Sequence, residues 1–230
     1  MKYLFSLTIA LAVKVFSKLF YQLELKILNP TPDFWENINV FAFLNHTSLF
    51  EPLLFSSLPN HFYFNNIHRA VLPGADITLE RPIVGKIYKV VFPQIISITR
   101  KRDSSWNDFM DKVKKGSLIV IAPEGRMMRP NGLDKHGNPM TIKSGIADIL
   151  LKTDSGYLLL GYSGGLHHVQ SPGERKLRLF KTLEMTYERV SIAEYKEKLR
   201  HEEPGFHRRV VEDLTQRLEK VVPNRRDTKI

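Results

Sequence analysis

The sequence predicts an α/β fold: a mixed, largely parallel sheet flanked by helices and preceded by an apolar N-terminal helix. Three observations carry this. Short apolar runs that read as strands alternate with helical patterns along the chain. Polar residues cluster directly after the strand ends, where open α/β sheets form their sites. No compositional linker divides the 230 residues into two large domains.

The elements follow in order. Tyr3 to Val13 is uncharged and mostly apolar, and Lys14 and Lys18 then fall four apart, on one helical face, among Val15, Phe16, Leu19 and Phe20. A spanning helix needs about 20 predominantly apolar residues, and this run falls short unless its lysines snorkel. The pattern is that of a helix lying in or dipping into a membrane surface. A signal peptide, with Ala10-Leu11-Ala12 as its cleavage-like site, and a helix covering the core are the other readings.

Gln22 to Leu28 alternates polar and apolar, as a half-buried strand does. Asn29-Pro30-Thr31-Pro32-Asp33 is a turn. Ile38 to Leu44 is a buried strand that delivers His46 at its end. Ser48 and Glu51 have capping-box spacing, with Pro52 in the first turn of the helix that follows. Phe62 to Phe64 reads as a strand and Pro82 to Val90 as a helix. Ile95 to Thr99 is a strand that ends at Arg100-Lys101-Arg102-Asp103. Trp106 to Lys115 is a helix closed by Gly116. Ser117 to Ala122 is a buried strand that delivers Glu124. Asn131 to Pro139 is a polar loop, Ile142 to Lys152 a helix, Tyr157 to Tyr162 a strand, and Leu177 to Thr186 one or two strands. Phe206, Val210, Val211, Leu214, Leu218 and Val221 mark an amphipathic C-terminal helix.

A net charge of +10 and a pI near 9.7 point to an anionic partner. The chain has no zinc-finger spacing, no RNP-like aromatic motif and no compact Lys/Arg block, so lipid headgroups or an acidic carrier are expected rather than nucleic acid. With no cysteine there is no disulfide, no thiolate metal site and no thiol nucleophile. The histidines lack convincing metal-ligand spacing, and no metal site is expected; adjacent His167 and His168 are the nearest approach to one.

Two short segments carry chemistry. Asn45-His46-Thr47-Ser48-Leu49-Phe50-Glu51-Pro52 places a base five positions from a carboxylate that can fix its tautomer, the logic of a Ser-His-Asp triad without the serine. The nucleophile is then the substrate's own hydroxyl. Equally, Glu51 could cap a helix with Ser48 and leave His46 a turn residue. Ala122-Pro123-Glu124-Gly125-Arg126 follows a strand: Gly125 permits close backbone approach, Glu124 can accept from a hydroxyl, and Arg126 can pair with phosphate. A turn with solvated charges is the other reading. Arg100, Arg129 and Lys143, after other strand ends, add to a possible electropositive pocket.

These residues resemble the glycerophospholipid acyltransferases of the phosphatidic-acid-forming type, over roughly Leu23 to Leu183. That family's Asn-His-x4-Asp motif is similar to Asn45-His46 through Glu51. Its strand ending in Arg resembles Ile98-Thr99-Arg100, its Pro-Glu-Gly motif resembles Pro123-Glu124-Gly125-Arg126, and its helix-opening Lys-x-Gly resembles Lys143-Ser144-Gly145. The resemblance implies that His46 is the general base on a glycerol-type hydroxyl and that Glu51 orients it. The hydroxyl attacks the thioester of acyl-CoA or an acyl-carrier protein, a co-substrate, with no cofactor and no metal. Arg100 pairs with the acceptor's phosphate, Glu124 and Gly125 hold the glycerol part, and Arg126 and Lys143 contact phosphate or headgroup. The acceptor is a lysophospholipid such as 1-acyl-glycerol 3-phosphate.

The chain departs from the family at three places. Glu51 stands where Asp is usual, Gly161-Tyr162-Ser163-Gly164-Gly165 replaces a Val-Pro-type strand end, and Arg126-Met127-Met128-Arg129 replaces Thr-Arg-Ser. A lipid-binding protein of the same fold without catalysis, and an acyltransferase for a non-glycerolipid acceptor, are the alternatives these departures leave. A secreted lipase-like hydrolase would need a Gly-x-Ser-x-Gly elbow, of which Tyr162-Ser163-Gly164 is only a fragment. Because the acyl donors are cytoplasmic, the resemblance implies that residues 1–21 form a membrane-associated helix and 22–230 the acyltransferase domain. It places the protein against anionic lipids on the cytoplasmic face of the inner membrane.

Overall fold

The structure is a computed structural model and describes residues 2–82, 84–99, 101, 103–200 and 205–224. The chain begins with helix α1 (Lys2–Phe20), then strands β1 (Gln22–Leu28) and β2 (Ile38–Leu44). A 3-10 helix (Glu51–Ser57), α2 (Asn60–Asn66), β3 (Ala70–Ala75), α3 (Asp76–Leu79) and α4 (Val84–Val91) follow. Next come β4 (Ile95–Ile98), α5 (Ser104–Lys112), β5 (Leu118–Ile121), α6 (Gly145–Lys152) and β6 (Tyr157–Ser163). The chain closes with β7 (Thr182–Ser191), α7 (Ile192–Arg200) and α8 (Phe206–Val221).

The seven strands form one sheet in the order β1-β7-β6-β2-β5-β3-β4. The run from β6 to β4 is parallel throughout. β7 joins β6 antiparallel, and β1 runs parallel to β7 at the edge. The expectation of a mixed, largely parallel sheet is met.

β2 sits at the centre of the parallel run, so both of its faces must be covered, which is why Ile38 to Leu44 is apolar nearly without interruption. Val40, Ala42 and Leu44 face a core built with Phe109 of α5, Ile146 and Ile149 of α6, Tyr195 of α7 and Leu214 of α8. Phe41 and Phe43 face the other way, onto Leu53 and Leu54 of the 3-10 helix and Phe62 of α2. The result is a three-layer sandwich with the polar strand ends left open on one edge.

Several sequence expectations are corrected. Phe62 to Phe64 lies inside α2, because Pro59 opens a helix there whose buried residue Phe62 packs on Trp35. β3 passes through Pro73 and Gly74, residues that weaken any strand reading. The helix over Trp106 begins earlier, capped by the Asp103 side chain on Ser105 N–H, and ends at Lys112, short of Gly116. The last strand covers 182–191, because the chain turns at Phe180 with a positive φ.

The N-terminal helix is inverted relative to an ordinary surface helix. Its buried residues are Ser6, Lys14 and Ser17, whereas Leu4, Phe5, Val15 and Leu19 each expose more than half of their surface. Ser6 donates to Val90 O (2.8 Å), Lys14 Nζ to Leu58 O (2.5 Å) and Ser17 to Leu53 O (3.0 Å). Lys14 also lies over the Tyr63 ring. The i,i+4 spacing puts Lys14 and Lys18 on one helical face, but their environments differ. Lys14 turns inward to its carbonyl and ring while Lys18 stays exposed, and burial pushes the Lys14 ammonium down from its ordinary value.

Candidate active site

β2 ends at Leu44, and Asn45 turns the chain sharply with φ +67, a left-handed conformation that Asn tolerates better than most residues. Its side-chain amide donates to Ser163 O at the end of neighbouring β6 (2.8 Å). The turn places His46 just beyond the carboxyl end of the strand.

His46 Nδ1 donates to Glu51 Oε2. An acceptor on Nδ1 fixes the tautomer and leaves Nε2 as the basic nitrogen. Glu51 itself is buried, and its Oε1 accepts the N–H groups of Thr47 (2.5 Å) and Ser48 (3.2 Å). Both sequence readings of Glu51 therefore hold in part. It reaches back to Ser48 as a capping-box residue does, and it also orients His46. The Ser48 hydroxyl does not complete the box: it accepts from Phe50 N–H and donates to Gln170 Oε1 (2.8 Å).

Glu124 lies under this loop rather than beside it. Its Oε1 accepts from Asn45 N–H (2.9 Å) and its Oε2 from His46 N–H (3.1 Å). Burial raises its carboxyl above the ordinary value, against the pull of those two N–H donors and the nearby His46. The second motif thus holds the backbone of the first. Gly125 turns with φ +68, and a side chain there would point into open space.

A cavity of about 660 Å³ opens along the carboxyl ends of β2, β5, β3 and β4. His46, Glu51, Glu124, Gly125, Arg126 and Lys143 all line it. Phe43, Phe55, Leu72, Leu79, Phe92, Ile95 and Trp106 supply an apolar wall. Lys143 hydrogen-bonds Thr141 Oγ1 (2.7 Å) and is exposed. Gly145 is required by its neighbour: a Cβ there would lie 2.9 Å from the Trp106 ring. Arg100, expected to bind phosphate, lies outside the described residues, but Lys101 beside it lines the cavity.

Arg126 is ion-paired with Asp134, a residue that sequence reading passed over. Asp134 also accepts from the N–H groups of His136 (2.7 Å) and Asn138 (3.0 Å). The Asn138 N–H above all, with Arg126 and the His136 N–H, holds its carboxyl well below the usual range. Gln170 and His167 were likewise not placed in the site by spacing. His167 Nε2 donates to Met128 O (2.7 Å), and Met128 N–H donates to His46 O (2.7 Å). His168 turns instead to Thr182 O, so the adjacent pair serves two separate carbonyls. The Gly-rich end of β6 also supports the His46 loop, since Leu166 N–H donates to Thr47 Oγ1 (2.9 Å).

A His–carboxylate pair at the strand ends, above an apolar cavity with cations on its rim, defines a class: proteins that handle a molecule part hydrocarbon and part anion. The family model of the Acyltransferase family matches residues 28–161, more than half of the chain. The chain belongs to that family and is an acyltransferase. No curated protein matches it. Among solved structures it is similar in fold to the 1-acyl-sn-glycerophosphate (LPA) acyltransferase PlsC from Thermotoga maritima. That likeness has a TM-score of 0.60 and 17% identity, and covers 92% of this chain and 79% of that one.

Proposed function

We propose that this acyltransferase moves a fatty acyl group from acyl-CoA or an acyl-carrier protein to the hydroxyl of a lysophospholipid such as 1-acyl-glycerol 3-phosphate. The observation that carries the reading is the His46–Glu51 pair on the rim of a largely apolar cavity. The likeness in fold to PlsC, a 1-acyl-sn-glycerophosphate acyltransferase, agrees with it.

His46 Nε2 takes the proton of the acceptor hydroxyl as its oxygen attacks the thioester carbonyl. Glu51 stabilises the imidazolium that forms. The tetrahedral oxyanion collapses, the C–S bond breaks, and the imidazolium returns its proton to the leaving thiolate. The ester and a free thiol are the products, with no acyl-enzyme and no cofactor or metal. Glu124 keeps the His46 backbone in place from below, and Gly125 lets the glycerol part approach the chain. Arg126 and Lys143, with Arg100, meet the phosphate.

The exposed apolar face of α1 lies in the headgroup region of a membrane while its polar face stays on the protein. By length and composition the helix could also cross a membrane, but Ser6, Lys14 and Ser17 bind it to the body along its length. The +10 charge favours anionic lipid, and the cytoplasmic donors place the protein on the cytoplasmic face of the inner membrane.

The test is incubation of detergent-solubilised protein with radiolabelled acyl-CoA, or with acylated carrier protein, and a panel of lysophospholipids and glycerol 3-phosphate. Acylated lysophospholipid is the expected product. Transfer only to a non-glycerolipid acceptor, or no transfer from either donor, would reject the reading.

A further inference from the structure

Phe180 stands where a glycine is favoured. Its φ is +59, and the residue is 77% exposed. The backbone there is pinned on both sides: Phe180 N–H donates to Phe20 O (2.8 Å), and Gln22 N–H donates to Lys181 O (3.2 Å). Residue 180 is thus the pivot at which the chain enters the β1–β7 pairing. A glycine would turn there without steric strain, so a large aromatic at this position calls for a return. Within the chain its ring meets Phe20, centroids 6.0 Å apart, and most of it faces outward.

Its surroundings say what it faces. Phe20 in turn packs against Phe16 (ring centroids 4.8 Å, tilted), so the Phe180 ring extends the outward apolar face of α1 at that helix's C-terminal end. Arg175, Lys176 and Lys181, within five residues of it along the chain, are exposed, while Arg178 is paired with Glu174. At the other end of α1, Ser6 bonds to α4, where Ile87 and Val90 are exposed, as are Lys86 and Lys89 on the same helix. An exposed apolar tip flanked in the chain by exposed cations has the chemistry of a contact with an anionic lipid surface.

We propose that Phe180 and the basic stretch from Arg175 to Lys181 form a second membrane contact, far in sequence from α1. The ring enters the boundary between headgroups and acyl chains of an anionic bilayer, and Arg175, Lys176 and Lys181 meet lipid phosphates. The proposal rests on the membrane reading of α1 and deepens it. The helix is then fixed at both ends, by α4 beside the cavity and by Phe180.

The experiment uses the full chain and sedimentation with phosphatidylcholine vesicles, with and without phosphatidylglycerol. Phe180→Gly is expected to raise Tm, because it relieves the backbone, yet to weaken partition into the anionic vesicles about tenfold. Its acyl transfer to detergent-dispersed substrate should equal that of the wild type. Phe180→Trp is expected to bind like the wild type and to show a blue shift in emission on vesicle addition beyond that of Trp35 and Trp106. Equal vesicle binding by Phe180→Gly and wild type would overturn this contact and leave α1 as the anchor. A wild type that ignores anionic vesicles altogether would overturn both readings. An unshifted emission for Phe180→Trp would overturn the insertion of the ring.

Discussion

Glu51 does three things with two oxygens: it accepts from His46, Thr47 and Ser48. Glu51→Gln keeps the volume but places an amide against one of these donors and removes the charge that steadies an imidazolium. We expect kcat to fall on the order of 10²-fold or more with little change in KM, measured by thiol release. Glu51→Asp, the residue more usual in the family's motif, is too short for all three donors here. A loss of about tenfold in kcat and a lowered Tm are expected. His167 makes a prediction in pH. Burial lowers its folded value beneath the ordinary 6.5. The unfolded chain therefore takes up a proton near 6.5 that the folded chain refuses until a lower pH, and stability falls on acidification across that window. Denaturant midpoints should drop faster with acid for the wild type than for His167→Gln, by at most about 1.4 kcal/mol per pH unit.

At the scale of elements, the 131–139 loop owes its shape to Asp134, which gathers Arg126 and the N–H groups of His136 and Asn138. Its carboxyl is depressed, so its contribution is complete above the ordinary 3.8 and fades as pH falls below that towards the folded value. Asp134→Asn should lower Tm at neutral pH, and the deficit should shrink in acid below about 3.8. A deficit independent of pH would reject the role of the ionised form. Because Arg126 is held by this pair, the same variant should raise KM for a phosphate-bearing acceptor more than it lowers kcat. Strands with a clear pattern were legible in the sequence: β1 by alternation, β2 and β5 as apolar runs between turn residues. β3 was not, because Pro73 and Gly74 hide a strand whose partners lie elsewhere in the chain. α2 was misread because Phe62-Tyr63-Phe64 has strand-like composition, whereas Pro59 opens a helix there and Phe62 packs on Trp35.

Over the whole molecule, the order of strands explains the site. Five parallel strands point their carboxyl ends the same way, so residues following β2, β3, β4 and β5 converge on one cavity although they are far apart in sequence. The motifs announced His46, Glu124 and Gly125, which sit within four residues of a strand end, and Glu51, by its spacing from His46. They did not announce that Glu124 holds the backbone of Asn45 and His46, nor the parts of His167, Gln170 and Asp134, whose contacts depend on loops crossing over the sheet. The inverted face of α1 was also hidden, because composition alone does not say which side of a helix docks. The measurement that bears most directly on the central claim is the rate of acyl transfer by His46→Ala against wild type, with circular dichroism to confirm that both are folded. A loss of at least about 10²-fold in kcat with unchanged KM, and no further loss on adding Glu51→Gln, is the predicted result. A folded His46→Ala protein that transfers acyl groups at the wild-type rate would contradict it.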